Sequence, residues 1–333
     1  VNLTFNVPSG SAVLLDEVSL TKTDGDPSNR TSFRDPVVNA LRQLRPGALR
    51  YWAEHLGESL DNQIASPFGR QRAGYRMSYN NREDVNYGLH EFLELCELLG
   101  ADPWIVVPTV YSPQEASNLI EYLAGSPGTP YGSRRASRGH SAPWTDVFSQ
   151  IHLEYGNEAW NSGFRGGTIE YPNAYGPRAQ TIFGAMRGSA SYQAAKFDLV
   201  LGGQAVWIGR NRDIQNYCNN NDSLSIAPYM MYEPTSYANN EQLFGPLFAE
   251  AEMNSRNGVS RQNRTMLDSF GRPIRLNVYE MNLHTTGGTI SQGALDQMIP
   301  SLGSGLAVTS SMLQMLRDLD SRHQMFYSLQ QSF

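Results

Sequence analysis

Cysteine is rare in this sequence, and its rarity excludes whole classes of site. The 333 residues include 2 cysteines, so Cys96 and Cys218 could form at most one disulfide. Neither the cysteines nor the 6 histidines fall into a metal-binding spacing, and no HExxH motif occurs. We therefore predict that the protein uses no metal ion and no cofactor.

Long apolar runs and clusters of positive charge are also missing. No stretch of about 18 apolar residues occurs, so no membrane span is predicted. The formal net charge is -6 and the basic residues are scattered, whereas a nucleic-acid partner would need a basic stripe. No leader pattern follows Val1, so we expect any signal peptide to have been removed. We predict a secreted or periplasmic protein, with a cytoplasmic one as the alternative, and leave the oligomeric state open.

The main pattern that the sequence does have is a repeated alternation of short apolar runs with longer amphipathic segments. Hydrophobic residues make up 40% of the chain and charged residues 17%, a globular composition that can bury a sizeable core. Strands that alternate with helices predict a parallel sheet with right-handed crossovers. Eight strands favour a closed (β/α)8 TIM barrel, and the lack of G-x-G-x-x-G after the first strand argues against a nucleotide-binding sheet. The predicted strands are 13–20, 48–52, 103–109, 151–158, 197–202, 224–232, 274–281 and 323–330.

Helices are predicted between these strands from their apolar spacing and from glycine or proline near their ends. Residues 25–333 are predicted to form the barrel, without its last helix. Residues 1–24 alternate in polarity, so they are either barrel strand one or the tail of an accessory β-sandwich domain, and we expect the chain to belong to a longer protein. The predicted helices are 33–44, 84–99, 113–123, 174–187 with Pro177 in the first turn, 210–217, 241–255 and 293–319 in one or two pieces.

Two glutamates end otherwise apolar strands. Glu158 ends the fourth predicted strand and Glu280 ends the seventh, where a charge is costly unless it is paired or functional. Active sites of barrels lie at the carboxyl ends of the strands, and strands four and seven face each other across the mouth. Cleavage of a glycosidic bond needs such a pair, namely an acid for the leaving oxygen and a second carboxylate. The alternative is that each glutamate caps a helix or pairs with an arginine.

Other residues near the strand ends also have both a functional and a structural interpretation. Tryptophans at or beyond the strand ends could stack on sugar rings or pack in the core. Glu54 could bind sugar hydroxyls or cap a loop. Glu154 lies in the fourth strand with the parity of Glu158, so it is predicted to be buried and paired, and Trp104 is predicted to be core.

Several short motifs, in their order along the chain, resemble one group of carbohydrate-active enzymes. Gly156-Asn157-Glu158 and the later Glu280 resemble clan A of the glycoside hydrolases. Segments 121–144 and 153–158, with Glu280-Met281-Asn282 and Leu49-Arg50-Tyr51, are more closely similar to family 51, the α-L-arabinofuranosidases and related enzymes. The resemblance runs from residue 33 to the end of the chain. The chain departs from the family at Trp52-Ala53-Glu54, where Pro-Gly-Gly is usual, and at Pro228-Tyr229, where His-Tyr is usual.

The resemblance implies a role for each matching residue. Glu158 would be the general acid/base, with a pKa raised by Glu280 and by partial burial, and Glu280 would be the nucleophile. Arg50 would keep Glu280 charged, and Asn157 would hydrogen-bond the sugar 2-hydroxyl. Tyr229 is a candidate hydrogen-bond donor to Glu280, with core packing as the alternative. The substrate-binding candidates are Arg50, Trp52, Glu54, Asn157, Trp160, Trp207, Tyr229 and Asn282.

Three functions are compatible with these residues. The leading one is a retaining glycoside hydrolase acting on plant-type polysaccharide or oligosaccharide, for which the resemblance implies α-L-arabinofuranosidase activity. A second is an endo-β-glycanase of the same clan, acting on glucan, xylan or galactan. A third is a non-catalytic carbohydrate-binding or structural protein, against which the presence of both carboxylates counts. In all three the predicted partner is a carbohydrate.

Overall fold

The structure is a computed structural model that describes residues 4–15, 18, 25–52, 58–70, 73–76, 81–84, 87–164, 167–285 and 287–328. The strands are β1 (Ala48–Tyr51), β2 (Ala73–Arg76), β3 (Asn81–Asp84), β4 (Asp102–Val107), β5 (Ile151–Tyr155), β6 (Phe197–Gly202), β7 (Ser223–Ile226), β8 (Arg275–Met281) and β9 (Gln324–Phe326). The helices are α1 (Asp35–Leu44), α2 (Leu60–Ile64), α3 (Leu89–Leu99), α4 (Pro113–Ala124), α5 (Pro130–Ser137), α6 (Trp144–Val147), α7 (Pro172–Arg187), α8 (Ile208–Tyr217), α9 (Asn240–Arg256), α10 (Val259–Asp268), α11 (Gln292–Met298) and α12 (Leu302–Leu319).

Seven strands form one parallel sheet in the order β1-β4-β5-β6-β7-β8-β9. The edge strands β1 and β9 contact each other, so the sheet curls into a nearly closed barrel. Helices fill the connections, because parallel neighbours need a long crossover between them. The predicted TIM-like (β/α) barrel is thereby confirmed.

The first predicted strand is the main correction. Residues 13–15 and 18, which are the described part of predicted strand 13–20, are not in a strand, and Leu14 is fully exposed. An alternating pattern gives a strand only where a neighbouring strand and a core cover it, and the described chain provides neither here. The barrel that the structure describes therefore has seven strands instead of eight.

The other predicted strands are confirmed; β6 has the predicted ends, and the others begin or end at different residues. β5 ends at Tyr155, three residues before Glu158, and β7 stops at Ile226, well short of Tyr232. After β7 the apolar residues continue into a partly buried loop, which hydrophobicity alone does not separate from strand, whereas β5 is followed by the polar turn at residues 156–158. In the last predicted strand, residues 324–326 are in β9, and residues 329–330 lie outside the described ranges.

Most predicted helices are confirmed, including the two pieces at the end of the chain, α11 and α12. The predicted helix 84–99 starts only at Leu89, because Asp84 belongs to the β2–β3 hairpin. Pro177 is not in the first turn of α7, since Pro172 occupies the first position. Helices α2, α5 and α6 and the hairpin were not predicted because each helix or strand is too short to show a clear period, whereas α10 was missed although it is amphipathic.

The inside of the barrel is polar near the amino ends of the strands. Asp198 of β6 is fully buried and accepts hydrogen bonds from His152 Nδ1 and Arg275 Nη2, both at 2.8 Å, and from Asn277 Nδ2 at 3.1 Å. Burial opposes the charge, but these donors hold the pKa of Asp198 well below its usual range. A buried carboxylate with this many partners is structural. Reactive groups are therefore expected at the carboxyl ends of the strands, where the active sites of barrels lie.

His323, just before β9, makes the stability of this end of the barrel depend on pH. Its ring lies 4.3 Å from the ring of His152, and burial together with that neighbour lowers its pKa from 6.5 to about 4. The folded state therefore binds this proton less readily than the unfolded chain, so stability is full above pH 6.5 and is lost as the pH falls towards 4. We expect the melting temperature of His323→Gln to fall less than that of the wild type between pH 6.5 and 4. Equal losses in calorimetry would contradict this.

Within the described ranges no helix is long and apolar enough to cross a membrane. The same part of the chain holds no group of three His, Cys, Asp or Glu side chains that could bind a metal ion. Cys96 and Cys218 are both buried, and neither is in a disulfide.

Candidate active site

The turn after β5 presents Glu158. Gly156 has a φ of +72°, and a Cβ at this position would lie 2.5 Å from the methyl group of Thr109, so the turn requires glycine. Glu158 itself has a φ of +40°, a left-handed conformation that side-chain-bearing residues seldom adopt. Asn161 fixes it twice, by donating its backbone N–H to the Glu158 carbonyl at 2.7 Å and its Nδ2 to Oε2 at 3.1 Å.

The end of β8 presents Glu280, which is 7% exposed. Tyr229, just past β7, donates its hydroxyl to Glu280 Oε2 at 2.6 Å, so the expected hydrogen bond is present. The pairing of β8 with β9 shifts register between Val278 and Met281. Strict alternation would point neighbouring side chains to opposite faces, and this shift lets Tyr279 and Glu280 both reach the barrel mouth.

Arg50 of β1 joins the two sides of the site. Its Nη1 lies 2.8 Å from Glu280 Oε1, its Nε and Nη2 lie 2.8 and 3.0 Å from the two oxygens of Glu154, and Nη2 also donates to Asn157 Oδ1 at 2.9 Å. Glu154 is fully buried and accepts a further hydrogen bond from Trp104 Nε1 at 2.6 Å. The predictions that Glu154 is buried and paired and that Trp104 is core are thus confirmed. Burial opposes the charge of Arg50, but Glu154 and Glu280 outweigh it and raise its pKa.

The two glutamates have different surroundings. Burial, followed by the negative charge of Glu280, raises the pKa of Glu158 from 4.5 to about 7, while Asn161, Arg50 and Tyr279 oppose the rise. Burial also raises the pKa of Glu280, and there the charge of Arg50 and the hydroxyl of Tyr229 oppose it. Near neutral pH, Glu158 can hold a proton while Glu280 faces a cation and a hydroxyl donor. When two carboxyl groups have different surroundings, their pKa values differ, so one can act as the acid while the other stays ionised.

A cavity of about 500 Å³ opens beside Glu158, over the carboxyl ends of β6, β7 and β8. Its lining includes Glu158, Trp160 and Tyr229, together with residues of α9 and the loop after β8. A cavity at this end of a barrel is where substrates bind in this type of fold.

Of the remaining predicted site residues, some line the cavity and others do not. Trp160 lines the cavity, whereas Trp52 packs edge-on against Phe164 with ring centres 5.4 Å apart. Trp207 is 53% exposed just before α8 and is not among the cavity-lining residues. Asn282 donates to the carbonyl of Tyr327 at 2.6 Å and accepts from the backbone N–H of Leu283 at 2.7 Å, so its amide holds the chain in place. Glu54 lies outside the described residues.

Some residues of the site could not be predicted from the strand ends. Tyr279 donates to Glu158 at 3.3 Å, a contact between the ends of two strands that the sequence pattern does not show. Glu250 of α9 lines the cavity, and nothing in the helix sequence marks it. Asn161 has a weak signal, since it follows Glu158 by three residues within one turn. Tyr232 falls within the predicted strand 224–232 and His284 lies two residues beyond Asn282, and neither was among the predicted substrate-binding residues.

Arg50→Met is expected to lower the free energy of unfolding by about 3–5 kcal/mol, since it leaves Glu154 and Glu280 as buried carboxylates without their cation. Urea denaturation followed by circular dichroism measures this. The matched control is Arg134→Met, which breaks an exposed ion pair with Asp61 and is expected to cost less than about 1 kcal/mol. Equal losses in the two variants would show that Arg50 does not hold the site together.

Known proteins share both the fold and part of the sequence. The chain is similar to the α-L-arabinofuranosidase of Thermotoga maritima, with a TM-score of 0.69 and 18% identity over 92% of this chain and 59% of that one. The family 51 (GH51) arabinofuranosidase of Xanthomonas axonopodis pv. citri gives a TM-score of 0.72 at 17% identity over 92% of this chain and 62% of that one. At such identities the likeness shows the fold.

Sequence relatives match over shorter stretches. An intracellular exo-α-L-arabinofuranosidase of Bacteroides ovatus is 27% identical over 156 residues, which are 42% of this chain and 27% of the relative. An extracellular exo-α-L-arabinofuranosidase of Streptomyces chartreusis is 27% identical over 192 residues, 46% of this chain and 22% of the relative. The matches thus span about a quarter of the length of these curated relatives. Because one relative is intracellular and the other extracellular, the predicted secretion stays a prediction.

A family model covers a larger share of the chain. Residues 29–222 match the model of the α-L-arabinofuranosidase 1 domain, and this stretch is more than half of the 333 residues. It contains β1, β4, β5 and β6, and with them Arg50, Asn157 and Glu158. The chain therefore belongs to the α-L-arabinofuranosidase 1 domain family.

Proposed function

We propose that this protein is a retaining glycoside hydrolase that releases α-L-arabinofuranosyl groups from plant-type polysaccharide or oligosaccharide. One observation carries the proposal: two glutamates from opposite strands of the barrel meet at its mouth in unlike surroundings. Burial and Glu280 raise the pKa of Glu158 to about 7, which suits an acid, and Arg50 and Tyr229 contact Glu280, which suits a carboxylate. The family to which the chain belongs supports arabinofuranose as the sugar.

The first half of the reaction uses both glutamates together. A Glu280 oxygen attacks the anomeric carbon while Glu158 donates its proton to the glycosidic oxygen, and the bond between that carbon and that oxygen breaks. The leaving group departs as an alcohol, and the sugar stays as an ester on Glu280. Arg50 and Tyr229 hold the attacking carboxylate in place by their hydrogen bonds at 2.8 and 2.6 Å.

The second half returns the protein to its starting state. Once Glu280 is an ester, its negative charge is gone, so one of the two causes that raise the pKa of Glu158 disappears. Glu158 can then accept a proton from water, whose oxygen attacks the anomeric carbon and releases Glu280 as a carboxylate. Two inversions at one carbon leave the anomeric configuration unchanged.

The test is hydrolysis of a panel of 4-nitrophenyl glycosides, followed by ¹H NMR of the first product. We expect the α-L-arabinofuranoside to be the best substrate and the first anomer released to be α. The double variant Glu158→Ala, Glu280→Ala controls for contaminating activity. A β-anomer as first product would exclude the retaining mechanism. Preference for a β-xyloside or β-glucoside, with shortening of the polymer, would favour an endo-β-glycanase instead, and cleavage of no glycoside would favour a non-catalytic protein.

A further inference from the structure

The guanidinium of Arg50 is shared unequally between two carboxylates. Its Nε and Nη2 lie 2.8 and 3.0 Å from the two oxygens of Glu154, whereas its Nη1 lies 2.8 Å from one oxygen of Glu280. A bidentate pair between an arginine and a carboxylate is stronger and more fixed in direction than a single contact. The larger part of the contact of Arg50 is therefore with a carboxylate that takes no direct part in the proposed reaction.

The register of the strands places Glu154 in the fork of Arg50. Arg50 of β1 lies opposite Trp104 of β4, and Val106, two residues further along β4, lies opposite Glu154 of β5. Residues two apart on a strand share a face, so these side chains point into the barrel together. Trp104 donates its Nε1 to Glu154 Oε2 at 2.6 Å, and both side chains are fully buried. The fold thus holds Glu154 in place before any substrate binds.

We infer that Glu154 is a positioning residue for the nucleophile. It occupies the fork of Arg50, so Glu280 meets one side of an ion pair instead of an unshared cation and keeps the electron density that attack on the sugar requires. The inference rests on the proposed function, and it adds to that function how the attacking carboxylate is held in place without being weakened.

The balance of charge around Glu280 supports this role. Burial raises the pKa of Glu280, Arg50 and Tyr229 oppose the rise, and the negative charge of Glu154 adds to it. An arginine beside a carboxylate favours the charged form, and the strength of a nucleophile falls as its pKa falls. Because Glu154 offsets part of the positive charge of Arg50, Glu280 can be ionised and still be reactive.

Titratable groups from several elements surround Glu280. Among the described residues they come from β1, β5 and the turn after it, the loop after β7, β8 and the loop after β9, namely Arg50, Glu154, Glu158, Tyr229, Tyr279 and Tyr327. Burial raises the pKa of Glu158 and of the Tyr229 and Tyr279 hydroxyls, so these groups are largely neutral between pH 4 and 6. The charge that Glu280 meets in this pH range therefore comes from Arg50 and Glu154.

Glu154→Gln removes the charge and keeps the size of the side chain. Arg50 and Glu280 then remain as a balanced pair, so we expect the variant to fold. The unshared cation should weaken the nucleophile and lower kcat/KM for 4-nitrophenyl α-L-arabinofuranoside at pH 6 by about 10-fold. It should also keep Glu280 ionised at lower pH, so the ratio of kcat/KM at pH 4 to that at pH 6 should exceed the wild-type ratio by about 3-fold or more.

The matched control is Trp104→Phe, which removes one hydrogen bond from Glu154 but leaves its charge, and which should keep the wild-type ratio. Activity recovered at pH 6 after exposure to pH 4 shows that each variant stays folded. If Glu154→Gln does not fold, Glu154→Asp takes its place. Its carboxylate is drawn back from Arg50, so the ratio should rise in the same direction by a smaller factor.

The outcomes separate the inference from the proposed function. A wild type that cleaves the aryl glycoside, with a substitution at Glu154 that lowers kcat/KM by the same factor at both pH values, would leave the proposed function standing and show that Glu154 is structural. An equal rise of the ratio in Trp104→Phe would assign the effect to packing and also overturn the inference. A wild type that cleaves no glycoside would overturn both.

Discussion

Glu280→Ala is expected to lower kcat for 4-nitrophenyl α-L-arabinofuranoside by about 10⁴-fold or more, because it removes the carboxylate that Arg50 and Tyr229 hold for the attack. The loss should be independent of pH, since the missing group is the nucleophile and not an acid. Stopped-flow and steady-state absorbance of 4-nitrophenolate give kcat. The matched control is Glu241→Ala, an exposed glutamate in the first turn of α9, which should be as active as the wild type.

Mass spectrometry can identify the residue to which the sugar becomes attached. If Glu280 forms the ester, rapid quenching of the wild type with a slowly hydrolysed substrate should leave a peptide around residue 280 that is heavier by one pentosyl group in mass spectrometry. Glu280→Ala should not show this adduct. An adduct that appears on Glu158 instead would reverse the roles of the two glutamates, and residual activity within about 10-fold of the wild type would remove Glu280 from the reaction.

Glu158→Ala should give a loss that depends on the leaving group. An oligosaccharide leaving group needs a proton, so we expect kcat/KM to fall by about 10³–10⁴-fold, within the range of a general acid, whereas 4-nitrophenolate leaves without one and the loss should be at least 10-fold smaller. Parallel assays with both substrates measure the difference. Equal losses for the two substrates would mean that Glu158 is not the acid.

The pH profile gives a second test of Glu158. Its acid form is the active one, and burial together with the charge of Glu280 raises its pKa to about 7. The kcat/KM of the wild type for the oligosaccharide should therefore fall as the pH rises through about 7, because the protonated fraction of Glu158 decreases. Glu158→Ala should lack this decline. A wild-type profile that stays level up to pH 9 would contradict the role.

Several features of the site could be predicted from the sequence because they depend on short stretches. Glu158 follows an apolar strand and Glu280 lies at the end of another, and a charge at such a point is conspicuous. The spacing of apolar residues predicts β6 with its ends as observed, and α4 begins at the expected Pro113. Glu154 was found by parity, since side chains four residues apart along a strand share a face.

Other features could not be predicted. The first predicted strand failed because alternation does not show whether a neighbour is present to pair with it. Trp207 and Asn282 lie near strand ends, yet one is outside the cavity lining and the other holds the chain. Tyr279 has the inward parity of Asn277, but only the tertiary structure shows that its hydroxyl reaches Glu158, which follows another strand.

By itself, the sequence determined that this protein is a parallel (β/α) barrel with one glutamate after β5 and another at the carboxyl end of β8, since periodicity and strand ends are local properties of the chain. Only the tertiary structure decided what those glutamates meet. Arg50 contacts Glu154, Asn157 and Glu280, which are between 104 and 230 residues away, and such contacts depend on the order and register of the strands. The unequal pKa values and the cavity beside Glu158 follow from that three-dimensional arrangement, because burial and charge act through space.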